Sequence, residues 1–83
     1  MEIYRFFHDL MRKRSITLKG HRTSIALEPE FWDALDAIVE TDKRTLPALI
    51  DSIDRNRLKQ TPPPGLASAI RVYVLKRLSS KTS

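Results

Sequence analysis

One segment constrains the fold of this chain more than any other: a short strand-like run that leads directly into an amphipathic helix. Side chains in residues 22–27 alternate between two faces, as they do in a strand that buries one side. Pro29 follows in the first turn of the helix, where its missing N–H has no cost. Because so short a strand is not stable alone, it needs a second strand. We expect a second copy of the chain to supply it, which gives a two-stranded ribbon in a homodimer.

Another strand-like run lies just before this one. Arg14–Leu18 contains β-branched and hydroxyl side chains that suit an extended backbone, and Lys19-Gly20-His21 separates the two runs. Gly20 supplies the positive φ that a tight turn needs. Upstream, residues 1–11 have apolar side chains at helical spacing, and they form either a docked helix or a frayed leader.

Three helices are predicted after the strands. The first ends near Thr41-Asp42, and the second begins after Thr45, a good N-cap, with Pro47 in its first turn. A stiff, proline-rich linker separates the second helix from the third. The chain therefore divides into an N-terminal extension (1–11), a core (12–58), a linker (59–65), a third helix (66–79) and a polar tail expected to be disordered (80–83).

The small size of the chain limits how it can be stabilised. Its 83 residues form one domain with little core. Disulfides are excluded because there is no cysteine, and the two histidines, His8 and His21, have no carboxylate cluster at ligand spacing. We therefore expect no structural metal and no cofactor. Oligomerisation remains as the source of additional core.

Several functional classes are not expected. No apolar run approaches about 18 residues, and the N-terminus lacks the basic and apolar regions of a secretory signal, so we expect a cytoplasmic protein without a membrane partner. We expect no enzyme activity either. There is no cysteine nucleophile and no recognisable Ser/His/acid set, and Gly20 and Gly65 do not form a phosphate loop.

Charge is unevenly distributed along the chain. The net charge is +5, but residues 11–27 contain five bases and no acid, residues 28–54 contain eight acids and two bases, and residues 55–83 contain seven bases and no acid. Such segregation predicts oriented charged faces, with a positive ribbon and C-terminal part and an acidic middle. A basic two-stranded ribbon has the width that the DNA major groove admits.

The order of these elements resembles the ribbon-helix-helix family, in a bacterial branch with an additional N-terminal strand and a third helix. The resemblance covers Arg14–Leu78 and rests on the segments RSITLKGHRTSIALEPEFWDAL, LPALIDSIDR and LASAIRVYVLKRL. It implies a mainly α protein with a short β-ribbon, assembled as an intertwined homodimer. It also implies that the ribbon binds DNA and that the N-terminus of the second helix lies on a phosphate. Two features depart from the family pattern: Ala26 has no hydrogen-bonding group, and the turn between the first two helices lacks a glycine.

The resemblance and the charge pattern together assign candidate site residues. The outward ribbon face is predicted to contact bases through Arg22, Ser24 and Ala26. Phosphate contacts are predicted for Arg12, Lys13, Arg14, Lys43, Arg44 and Thr45. The dimer core is predicted to contain Thr23, Ile25, Leu27, Phe31, Trp32, Leu35, Leu49, Ile50 and Ile53. The alternatives are a solvated strand face for the base contacts and a solubilising charge run for residues 12–14.

Two functions are consistent with this pattern. The first is a homodimeric DNA-binding protein that acts as a transcriptional regulator and inserts its ribbon into the major groove of double-stranded DNA. The second is a dimeric, antitoxin-like protein–protein interaction module with only non-specific affinity for DNA. The third helix is the ambiguous element, because its apolar face either covers the dimer or binds another protein.

Overall fold

The computed structural model describes residues 10–81, and it contains a two-stranded sheet followed by three helices. Nearly all of the segment predicted as an N-terminal helix lies outside the described residues. The elements are β1 (Arg12–Leu18), β2 (His21–Leu27), α1 (Pro29–Asp42), α2 (Leu46–Arg57) and α3 (Leu66–Lys81).

The two strands form an antiparallel hairpin within one chain. The register runs from Arg12 opposite Leu27 to Leu18 opposite His21. Lys19 and Gly20 form the turn with φ values of 53° and 82°, as in the two-residue type I′ turn that matches strand twist. The predicted turn and antiparallel ribbon are confirmed. Within the chain the strand beside β2 is β1, because a two-residue loop brings the two together at a small entropic cost. Pairing of β2 with a second copy stays a prediction.

One chain buries most of the predicted core by itself. The inner face of the hairpin packs on the helices, and third-helix side chains complete the cluster. Of the nine predicted dimer-core residues, seven are buried in the single chain, and only Thr23 and Phe31 remain partly exposed. The buried apolar residues are Ile16, Leu18, Ile25, Leu27, Trp32, Leu35, Ile38, Leu49, Ile50, Ile53, Ile70 and Val74.

The turn between α1 and α2 forms without a glycine. Lys43 adopts the left-handed conformation that glycine usually takes at this position, with φ 53° and ψ 48°. Thr45 caps α2 as predicted, since its hydroxyl oxygen accepts a hydrogen bond from the Ala48 N–H at 3.2 Å. The helix therefore begins where the sequence indicates.

The third helix, α3, belongs to the core of its own chain, because its Ile70 and Val74 are buried in the common cluster. Arg57 connects α2 to the linker, because it donates to Asp54 at 2.7 Å and to the Pro64 carbonyl at 3.0 Å. The third helix continues to Lys81, two residues beyond its predicted end. None of the helices in residues 10–81 is long and apolar enough to cross a membrane.

Candidate nucleic-acid interface

The side of the hairpin that faces away from the helices presents six small or polar side chains, which we call the outer face. In the strand register Thr17 lies opposite Arg22, Ser15 opposite Ser24, and Lys13 opposite Ala26. Five of these residues are exposed, and Ala26 is half-buried. The predicted base-contact residues are therefore together on one surface.

The outer face is positively charged. Within residues 10–81, neither Lys13 nor Arg22 forms an ion pair, and the face contains no acid. Lys19 adds a third exposed positive charge at the turn. Charges arranged in this way favour a polyanionic partner, because no neighbouring carboxylate competes for them.

On the inner face of the hairpin, the positive charge of Arg14 is paired with a carboxylate. Arg14 donates two hydrogen bonds to Asp36, at 2.9 and 3.0 Å, and lies over the Trp32 ring at 4.6 Å from its centroid. The indole Nε1–H of Trp32 donates to the Arg12 carbonyl at 2.8 Å. The paired carboxylate raises the pKa of Arg14, and the guanidinium lowers the pKa of Asp36. These contacts attach the hairpin to α1, so a phosphate at Arg14 would have to compete with Asp36.

The other predicted phosphate contacts lie on separate elements of the fold. Arg12 stands on the inner side near the start of β1 and donates to the Met11 carbonyl at 3.3 Å. Lys43 is exposed in the turn before α2. Arg44 folds back over α2 and donates to the Ala48 carbonyl at 3.1 Å.

The N-terminus of α2 has few free donors. Pro47 has no N–H, and the Ala48 N–H is bound to the Thr45 hydroxyl. Of the residues in the first turn, only Leu46 retains an N–H for an outside acceptor. A phosphate here would depend on that single amide, the Thr45 hydroxyl and the Lys43 side chain.

Long-range pairing neutralises part of the acidic middle of the sequence. Arg71 binds Glu28 at 3.0 Å, and Arg77 binds Asp42 at 2.6 Å. The hydrogen bond from Arg71 lowers the pKa of Glu28, and the bond to Asp42 raises the pKa of Arg77. Basic and acidic blocks that are separate in sequence are thus partly paired in the fold, which leaves the outer face as a basic surface without paired acids.

Other kinds of site find little support in residues 10–81. No three potential metal-ligating side chains come together there. A groove of about 320 Å³ lies between α2 and α3, lined among others by Ile53, Val72, Tyr73 and Lys76. It is separate from the outer face in sequence and in secondary structure.

The comparison with known families decides how this arrangement is classified. A family profile described as a ribbon-helix-helix domain matches residues 11–78. The chain belongs to the ribbon-helix-helix family. This family binds DNA, is of the transcription-regulator type, typically dimerises and has a non-enzymatic fold. No curated protein and no solved structure matches the chain.

Sequence reasoning missed two residues of the outer face in this ribbon-helix-helix protein, Ser15 and Thr17. The signal was present, because a two-residue turn at Lys19-Gly20 determines the register of both strands. With that register, the alternation along β1 places Ser15 opposite Ser24 and Thr17 opposite Arg22.

Proposed function

We propose that this protein is a bacterial, cytoplasmic, homodimeric DNA-binding transcriptional regulator that inserts its antiparallel ribbon into the major groove. The observation that carries this proposal is the outer face, a basic, acid-free surface on a two-stranded ribbon in a ribbon-helix-helix chain. A ribbon of two strands matches the major groove in width.

The residues divide into reading and positioning roles. Arg22 donates to the edge of a guanine, Ser24 contacts a neighbouring base, and Ala26 offers a methyl contact to thymine. Lys43 and Thr45 hold a backbone phosphate at α2, where they position the protein without reading sequence. Arg14 has a supporting role, because its pairing with Asp36 keeps the ribbon on α1.

Two observations support the proposed dimer: members of this family typically dimerise, and α3 has exposed apolar side chains. Val72, Leu75 and Leu78 are 46%, 66% and 47% exposed along α3. Large apolar side chains on one helix are typical of a contact surface. If the dimer forms, thermal unfolding depends on protein concentration. A folded monomer at micromolar concentration in equilibrium sedimentation would contradict this part of the proposal.

DNA selection with the purified full-length protein tests the function directly. At physiological salt we expect enrichment of a sequence with two-fold symmetry, because the two protomers present equivalent ribbons. Binding that is sequence-indifferent and lost steeply with salt would contradict base reading and leave only phosphate attraction.

A protein-binding module is the second candidate. The exposed apolar side chains of α3 and the adjoining groove favour it. On this hypothesis Leu75→Ser abolishes partner binding while Arg22→Ala has no effect. The regulator hypothesis expects the loss of selective DNA binding in Arg22→Ala.

A further inference from the structure

We propose that the groove between α2 and α3 binds a small carboxylate with an apolar body. The volume of this groove, about 320 Å³, lies within the range of roughly 300–1,000 Å³ that is typical of small-molecule sites. Its lining comes from α2, the proline-rich linker and α3, and includes no residue of the outer face. The site therefore goes beyond the proposed DNA binding and does not depend on it.

Apolar side chains from all three segments line the groove. Ile53 of α2 is buried, Pro64 of the linker and Ala69 of α3 are half-buried, and Val72 of α3 is 46% exposed. A hydrocarbon chain or ring placed against them would be removed from water together with the exposed part of Val72, which favours binding.

The charge of the groove is positive. Two of its lining residues are basic and none is acidic. Arg57 is already paired, because it donates to Asp54 at 2.7 Å and to the Pro64 carbonyl at 3.0 Å. Lys76 is exposed and forms no ion pair within residues 10–81. One uncompensated positive charge complements a ligand with a single negative charge, such as a carboxylate.

A hydroxyl donor lies close to this lysine. Tyr73, three positions before Lys76, also lines the groove, and residues at this spacing are neighbours on a helix surface. The Tyr73 hydroxyl oxygen accepts a hydrogen bond from Arg77 at 3.3 Å, so its own proton stays available to a ligand. Arg77 is in turn held by Asp42 at 2.6 Å. A carboxylate can therefore accept hydrogen bonds from both Tyr73 and Lys76, and bonds to a charged acceptor are the stronger kind.

Titration with octanoate tests the site in the full-length protein. At pH 7 the carboxyl group of this probe is ionised, and octan-1-ol is the uncharged comparison of equal chain length. We would follow the NMR signals of the Ala69 and Val72 methyl groups and of the Tyr73 ring. We expect saturable shifts with a Kd of about 1 mM, since a ligand of so few atoms gains limited affinity, and weaker binding of octan-1-ol.

Two substitutions test the polar contacts. Lys76→Gln should weaken octanoate binding about 2- to 5-fold, because an exposed charge pair is lost, and should leave octan-1-ol binding unchanged. Tyr73→Phe should weaken octanoate binding about 2- to 10-fold, because a hydrogen bond is lost while the ring remains. Lys19→Gln, at an exposed lysine of the hairpin turn, is the matched control and should bind octanoate like wild type.

The proposed carboxylate site is overturned by the absence of saturable shifts in the groove, by equal binding of octanoate and octan-1-ol, or by wild-type octanoate binding in a folded Lys76→Gln variant. Equal binding of the two probes would leave the groove as an apolar surface for a protein partner. Circular dichroism checks that each variant is folded. DNA selection tests the proposed function separately, so either proposal can fail while the other stands.

Discussion

The two faces of the hairpin use their positive charges in opposite ways. On the inner face Arg14 is paired with Asp36 and stacked on Trp32, so its charge attaches the ribbon to α1. On the outer face Lys13 and Arg22 have no ion pair within the described residues. The comparison shows that adjacent basic residues of one strand lie in different surroundings, because successive side chains point to opposite sides.

The largest effect should come from charging the inner face. Ile25→Asp places a carboxylate without a partner in the core, which costs several kcal/mol out of the roughly 5–15 kcal/mol that stabilise a small domain. We expect loss of helical circular dichroism. Ser24→Asp, one position away on the outer face, is the control and should stay folded while it loses DNA binding. A folded Ile25→Asp variant would show that the two faces are assigned the wrong way round.

Removing the outer-face arginine should affect DNA binding and leave stability unchanged. Arg22→Ala is expected to lose about 1–3 kcal/mol of binding free energy per contact, and to lose it on selected DNA only. Lys43→Ala should instead weaken binding to all sequences and reduce the salt slope by about one. Fluorescence titrations at several salt concentrations separate the two. Equal losses for Arg22→Ala on selected and random duplex would leave the outer face with an electrostatic role alone.

The inner-face arginine should show the reverse pattern. Arg14→Ala removes a half-exposed ion pair and a cation–π contact, which together are worth about 1 kcal/mol of stability after solvent screening. We expect a small drop in melting temperature and little change in sequence preference. A loss of DNA affinity as large as that of Arg22→Ala, without a change in stability, would show that Arg14 contacts DNA directly.

The smallest expected effect is on the stability of the fold at low pH. Arg71 and Arg14 lower the pKa values of Glu28 and Asp36 in the folded state. These groups therefore stabilise the fold above their ordinary pKa values, and the contribution is lost as the pH falls below about 5 and through the lowered values. We expect Glu28→Gln to flatten the fall in melting temperature on acidification. Asp33→Asn, at an exposed acid without an ion pair in residues 10–81, is the control. An unchanged slope in Glu28→Gln would contradict this role.

Local features of the fold were predictable from the sequence. Gly20 indicated the turn, Pro29 and Thr45 indicated helix starts, and the apolar periodicity indicated the core. Each depends on residues that are close together in the chain. The strand runs and the third helix were found for the same reason.

Features that depend on distant residues were not predictable. The partner of β2 could be β1 or another chain, and alternation alone is satisfied by both. The use of Arg14 depends on Asp36, 22 positions away, and that of Arg71 on Glu28, 43 positions away. Thr45 was recognised as a cap, but the small number of free amides in α2 became clear only with the Ala48 bond in place.

A hairpin closed within one chain also changes how the protein responds to dilution. Two strands joined by a two-residue turn pair within microseconds and at any concentration, whereas a ribbon made from two chains exists only while the chains are associated. Dissociation of this protein into single chains would therefore leave the outer face of each hairpin intact. For the DNA-binding dimer that we propose, dilution would weaken binding through the loss of a second point of attachment, with the shape of the first hairpin unchanged.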